Sequence, residues 1–188
     1  LMRNIIFLID TLEIGGAENS LLSLYENLKT YYNISIIVLK SARKKNNSDF
    51  NLIEIKSKRI FSLTSIFSLF NILKKESNTT LLCFAPEIAV IANIANLSLL
   101  RKHKIILSFR NSFKYYSHFN KIYTYLLFLL ACIPSDGFHF LTDANKLSYN
   151  RIPFFKSNLK KKKFIIIPNY LRYLNYQFLR KGELKYKP

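Results

Sequence analysis

Short apolar runs rich in β-branched residues alternate with stretches of helical periodicity along this chain, and that alternation limits the available folds more than any other feature. Asn4–Ile9 (NIIFLI) is short, continuous and apolar, the pattern of a strand buried on both faces of a parallel sheet. Ala17, Leu21, Leu24, Tyr25 and Leu28 then recur at helical spacing. Ile34–Leu39 repeats the strand pattern, a polar basic loop spans Lys40–Asp49, and Phe50–Ile55 alternates as a third strand. Ser62 is placed to cap a helix whose Leu63, Ile66, Phe67, Phe70 and Leu73 form one apolar stripe. Thr80–Phe84 is a fourth strand stopped by Pro86, Ile88–Leu100 a helix, and Lys104–Phe109 a strand. Phe119–Ile133 reads as a helix apolar nearly all round, closed by Pro134. Gly137–Leu141 is a strand, Asp143 a cap for the next helix, and Phe164–Ile167 the last strand before Pro168-Asn169-Tyr170. About seven strands separated by helices predict an α/β, Rossmann-like three-layer domain with a mostly parallel sheet.

A chain of 188 residues with 49% hydrophobic residues, 16 Phe and 12 Tyr has material for one folded core. Cys83 and Cys132 both lie inside apolar runs, so they read as buried small hydrophobes rather than a disulfide or a metal site. A reducing cytosol is the compartment expected from that usage, and the apolar run ending at Asp10 is too short for a signal peptide. Leu81–Leu100 is long enough to cross a bilayer but contains Pro86, Glu87, Asn93 and Asn96. Tyr125–Ile133 is too short for a core of about 30 Å. It suits an interface, a lipid substrate or a packed central helix.

The net charge of +18 is uneven. Residues 1–100 carry 11 Lys and Arg against 8 Asp and Glu, whereas residues 101–188 carry 18 against 3. Such a field attracts polyanions or anionic membrane. No RNA- or DNA-binding motif, zinc spacing or basic heptad region accompanies it, so no nucleic-acid partner is expected. The remaining readings are an anionic membrane surface and a solvated basic face.

In parallel α/β sheets ligands bind beyond the carboxyl ends of the strands. Asp10–Glu18, Ala85–Glu87, Arg110–Lys114 and Thr142–Asn145 all follow strands and should gather on one rim. Within the first, Gly15-Gly16-Ala17-Glu18 opens a helix, where glycines allow close backbone approach and free N–H groups face an anion. The segment is neither the G-x-G-x-x-G fingerprint nor a Walker loop, since no lysine follows. Arg110 suits bidentate phosphate binding or a structural ion pair. Asp10 suits a ligand hydroxyl or turn formation. Asn93 reads as a helix-packing or capping residue rather than a ligand contact. His103, His118 and His139 have no partner pattern and read as surface or half-buried residues, with His118 within reach of a ligand on the rim.

Taken in order, NIIFLIDTLEIGGAENSLLSLYENL, TLLCFAPEIAVIANIANL with KIILSFRNS, DGFHFLTDANKL and FIIIPNYL resemble the N-terminal domain of family 4 retaining glycosyltransferases, whose first loop reads GGAE. Thr142 stands where that family has a serine. The likeness spans residues 4–171.

The resemblance implies the N-terminal half of a GT-B fold. It implies an enzyme that moves a sugar from a nucleotide-sugar donor to a glycan or polyprenyl-linked acceptor, with no cofactor and no metal. Carried onto this chain, Gly15 and Gly16 contact the donor diphosphate, Glu18 sits at the cleft, and Arg110 and Asn111 line the acceptor side. The acidic F-G motif of the family's donor-binding domain has no counterpart here. Residues 1–171 are therefore expected to be the acceptor-binding domain and residues 172–188 a basic tail or linker. The donor half is then missing, and this piece by itself should be inactive. The expected setting is bacterial surface-polysaccharide assembly at the cytoplasmic face of the membrane. Two rivals remain: a non-catalytic module that binds anions or membrane, and a flavodoxin-like mononucleotide domain.

Overall fold

The computed structural model describes residues 3–13, 15–40, 50–116, 119–152, 155–157 and 161–166. The sheet is built from β1 (Arg3–Ile9), β2 (Tyr32–Val38), β3 (Asn51–Glu54), β4 (Thr80–Cys83), β5 (Lys104–Phe109), β6 (Gly137–Phe140) and β7 (Lys163–Ile166). Between them lie α1 (Gly16–Leu28), α2 (Leu63–Lys75), α3 (Pro86–Leu97), α4 (Phe113–Tyr116), α5 (Lys121–Cys132) and α6 (Asp143–Ser148), the last running into a 3-10 turn at Tyr149–Arg151. The strand order is β3-β2-β1-β4-β5-β6-β7. Every pairing is parallel.

Alternation along the strands sorts the side chains into two layers. Ile6 and Leu8 of β1, Leu81 and Cys83 of β4, and Leu107 and Phe109 of β5 face α2, α3 and α5 in one core. Phe7 and Ile9 with Ile34, Ile36 and Val38 face α1 in the other. Around Phe109 the first core is aromatic, with the rings of Phe140, Tyr149 and Phe155 at centroid distances of 5.0, 4.4 and 5.4 Å. The arrangement is a helix–sheet–helix sandwich with a wholly parallel sheet.

Several boundaries differ from the sequence expectation for identifiable reasons. Helix α3 begins at Pro86 rather than Ile88, because proline's missing N–H is harmless in a first turn. It ends at Leu97, and Leu100 and Arg101 follow with φ of 55° and 57°, left-handed values that no helix continues. The cap of α6 is Thr142, not Asp143; its hydroxyl accepts from the Asn145 N–H at 3.0 Å and Asp143 is the first helical residue. Helix α5 starts at Lys121 because Asn120 caps it, accepting from Ile122 N–H at 2.9 Å. Helix α4 and the 3-10 turn were not anticipated. Ser62 caps α2 as expected, accepting from Ser65 N–H at 3.1 Å. Residues 167–188, with the Pro168-Asn169-Tyr170 segment and the basic tail, lie outside the described residues, as does His118.

Both cysteines are buried and free, and burial pushes both thiols well above their ordinary range, as small core hydrophobes behave. His103 and His139 are buried rather than at the surface. His139 Nδ1 lies 2.8 Å from Ser108 Oγ. Asn93 is a packing residue as read from the sequence, its Nδ2 donating to Ala131 O at 3.1 Å between α3 and α5. Lys162, in the densest lysine run, donates to Cys132 O at 2.8 Å and to the carbonyls of Ile133 and Ser135. One charge of that basic run therefore closes the C-terminal end of α5, where a cation is favoured.

Candidate functional site

The strand order places β1 beside β4, and the chain leaves these two strands toward opposite faces: from β1 to α1, from β4 to α3. Their carboxyl ends therefore open a crevice at the topological switch point, the usual ligand position in such sheets. Three of the four rim segments expected from the sequence border it directly.

From β1 comes Asp10. Its Oδ2 accepts from Lys40 Nζ, at the end of β2, at 3.0 Å. Its Oδ1 is buried without a hydrogen-bond partner among the described residues. A carboxylate oxygen so placed is an acceptor waiting for a hydroxyl or amide.

The glycine loop follows. Gly15 is the N-cap of α1 with φ −161° and ψ 175°, extended backbone open to any residue, and its carbonyl accepts from Asn19 N–H at 3.1 Å. Neither glycine has a left-handed φ, so no tight turn demands them. A Cβ on Gly16 would meet nothing within 4 Å, so the helix start is open at that residue. Glu18 stands at the third helical position and folds its carboxylate back over Gly15, as glutamates there do in capping boxes.

From β5 comes Arg110. Phe109 faces the α3–α5 core, so Arg110 next to it points to the α1 side. Its Nη1 donates to Ser20 Oγ on α1, and its guanidinium lies 4.4 Å from the centroid of the Phe84 ring. Burial lowers its pKa to about 9, so it remains charged at neutral pH. Arg110 thus ties the end of β5, across β4, to the helix that the glycine loop opens. Asn111 is exposed on the rim, with its carbonyl accepting from Asn145 Nδ2 at 2.9 Å and from the Tyr149 hydroxyl at 2.6 Å.

Glu87 was not singled out by sequence reasoning. It lies in the first turn of α3 at the end of β4, half-buried, and its carboxyl pKa is raised chiefly by burial, against its own backbone N–H, with Asp10 adding repulsion. The available signal was its place in one of the four rim segments. Asp10, Glu18 and Glu87 surround the crevice with acids while Lys40 and Arg110 supply cations. Among the described residues no cluster of three His, Cys, Asp or Glu is placed to hold a metal ion. No helix among them is long and apolar enough to cross a membrane.

No family model and no curated protein sequence matches the chain. Its fold does match solved structures. HepE of Anabaena, solved with UDP and glucose, superposes with a TM-score of 0.67 at 12% identity, over 95% of this chain and 49% of that one. The same protein with UDP-glucose gives 0.64 at 11% identity and the same coverage. The lipopolysaccharide outer core galactosyltransferase WaaB, in its apo form, gives 0.59 at 13% identity, over 90% of this chain and 46% of that one. The chain spans about half the length of these proteins. It has the seven-stranded, parallel, Rossmann-like α/β fold found in GT-B glycosyltransferases of this kind.

Proposed function

We propose that this chain is the acceptor-binding half of a retaining glycosyltransferase that takes a nucleotide-sugar donor. The observation that carries the reading is the open helix start at Gly16, set at the β1–β4 switch point of a fold shared with a protein solved bound to UDP and glucose. In this reading the free N–H groups of α1 approach the donor diphosphate from one side of the cleft. Asp10, through its unpartnered Oδ1, and Glu87 receive hydroxyls of the acceptor. Arg110 holds α1 at the right distance from β5 through Ser20, a positioning role rather than direct phosphate binding. Donor affinity is shared with a second domain, so this half binds a nucleotide sugar weakly. Titration with UDP, UDP-glucose and a non-nucleotide sugar phosphate, followed by NMR of the Gly15 and Gly16 amides, tests the reading. Shifts at those amides with the UDP ligands are expected, and no shift at any ligand concentration would sink it.

The acceptor proposed is lipid-linked and met at an anionic membrane surface in bacterial polysaccharide assembly. Its support is the 18 Lys and Arg that the sequence carries in residues 101–188, together with exposed Ile122, Leu126 and Leu130 on α5. The rival module without catalysis predicts membrane or anion binding with no response to UDP ligands, so the same titration separates the two.

A further inference from the structure

Away from the crevice, beyond the end of β5, a second concavity opens between α4 and the first turns of α5. It encloses about 250 Å³ and its walls are Phe113, Tyr116, Thr124, Tyr125, Phe128 and Ile152, with exposed Lys121 at the mouth. Phe128 is fully buried at its floor, with the Tyr116 ring edge-on at 5.0 Å and the Phe113 ring at 5.8 Å. These rings are held by the core, so the cavity is built into the fold rather than formed by a loop. A cavity of about 150 Å³ lined with apolar side chains takes a benzene ring, so this one has room for a group of about ten heavy atoms.

The mouth has the opposite character. Lys121 is the first residue of α5, where the helix dipole already presents positive charge, and the first turn contains no acidic residue. The cap is the neutral Asn120, whose Oδ1 accepts from the N–H groups of Ile122 and Tyr123. A lysine at a helix start is locally unfavourable, and an arriving anion relieves it. Apolar walls below a positive entrance define one ligand class.

We propose that the α4–α5 cavity binds an amphiphile with an apolar or aromatic body of about ten heavy atoms and an anionic head held by Lys121. That this ligand is the apolar end of the acceptor rests on the transferase reading; the ligand class does not. A lipid headgroup and a free small phosphate share this head chemistry, and one experiment distinguishes them.

The probe is 1-naphthyl phosphate, titrated into the full chain by its own fluorescence, which the protein does not obscure because it has no tryptophan. Saturable binding is expected, at least about tenfold tighter than inorganic phosphate. Lys121→Glu should weaken it by about tenfold, one interaction of ordinary strength. Thr124→Met, which fills the cavity from its wall, should abolish it. Lys121 is exposed, so its variant keeps the fold even where a cavity-filling change disturbs it; circular dichroism checks both. Displacement of the probe by phosphatidylglycerol vesicles assigns the head to lipid, and displacement by soluble short-chain phosphates alone assigns it to a free molecule. Binding no tighter than phosphate, or unmoved by Lys121→Glu in a folded protein, would overturn the proposal. None of these readouts uses a nucleotide, so they fail or succeed separately from the UDP titration.

Discussion

Gly16 is where the needs of folding and of ligand binding separate. Its added Cβ meets nothing within 4 Å, and alanine in a helical turn costs the unfolded chain conformations that glycine keeps. Gly16→Ala should therefore raise stability by about 0.4–1 kcal/mol in denaturant unfolding while weakening UDP binding about tenfold or more, because the new methyl occupies the approach to the helix start. Loss of both together would mean that the glycine serves the backbone alone. The glycine pair was legible in the sequence because strand, glycines and helix are contiguous. Arg110 was legible as a rim residue but not in its destination, since Ser20 lies 90 positions away. Glu87 was hidden for a similar reason. A glutamate after a proline reads as an ordinary first-turn residue, and its half-burial arises only once β4 has paired beside β1 and Asp10.

At the level of elements, the turn from α3 to β5 is the most strained described connection. Leu100 and Arg101 both adopt left-handed φ, and Leu100 is 94% exposed, so nothing packs against it in return. Leu100→Gly should stabilise the fold by about 1 kcal/mol, visible as a higher melting temperature. Arg101 is a poorer choice, because its Nη2 donates to Pro134 O at 2.8 Å. His103 closes the same region. Its Nδ1 accepts from Thr79 N–H at 3.2 Å, its ring Nε2 is 3.0 Å from Leu73 O, and its backbone is clasped by Asn96. Nδ1 as acceptor requires the neutral ring, and burial lowers the pKa below 6.5. The unfolded chain then binds more protons than the folded one. Stability is full above about 6.5 and falls as pH drops toward the folded pKa. Melting temperatures measured across that window should fall on acidification, and the slope should flatten in His103→Gln. A pH-independent melting temperature in the parent chain would contradict the assignment. The strands themselves were readable because a buried parallel strand is apolar without interruption. Helix ends were not, since Thr142, Asn120 and Pro86 act through hydrogen bonds, or their absence, that periodicity does not encode.

For the whole molecule, the dominant property is the charge of +18, concentrated in the second half. Co-sedimentation with vesicles containing anionic lipid should be strong at about 0.1 M salt and largely lost at about 1 M, as the screening length falls from about 10 to about 3 Å. Retention that ignores both salt and lipid charge would remove the membrane from the proposed function. The fold class was the most legible property, because seven apolar runs with helices between them leave few alternatives. The ligand crevice was less so, since it depends on which strands become neighbours, and that order is not the order of the sequence.

That permuted order has a consequence for how the chain is made. β1 is first in the chain yet central in the sheet, and its second neighbour, β4, lies about 75 residues later, where Ile5 meets Thr80. As the polypeptide leaves the ribosome, β1 with β2 and β3 forms a partial sheet whose innermost strand has one open edge. That edge is apolar and able to pair with any other nascent strand until β4 arrives. The exposed interval runs from the emergence of β1–β3 to the emergence of Thr80–Cys83, and mispairing is expected there rather than later in synthesis.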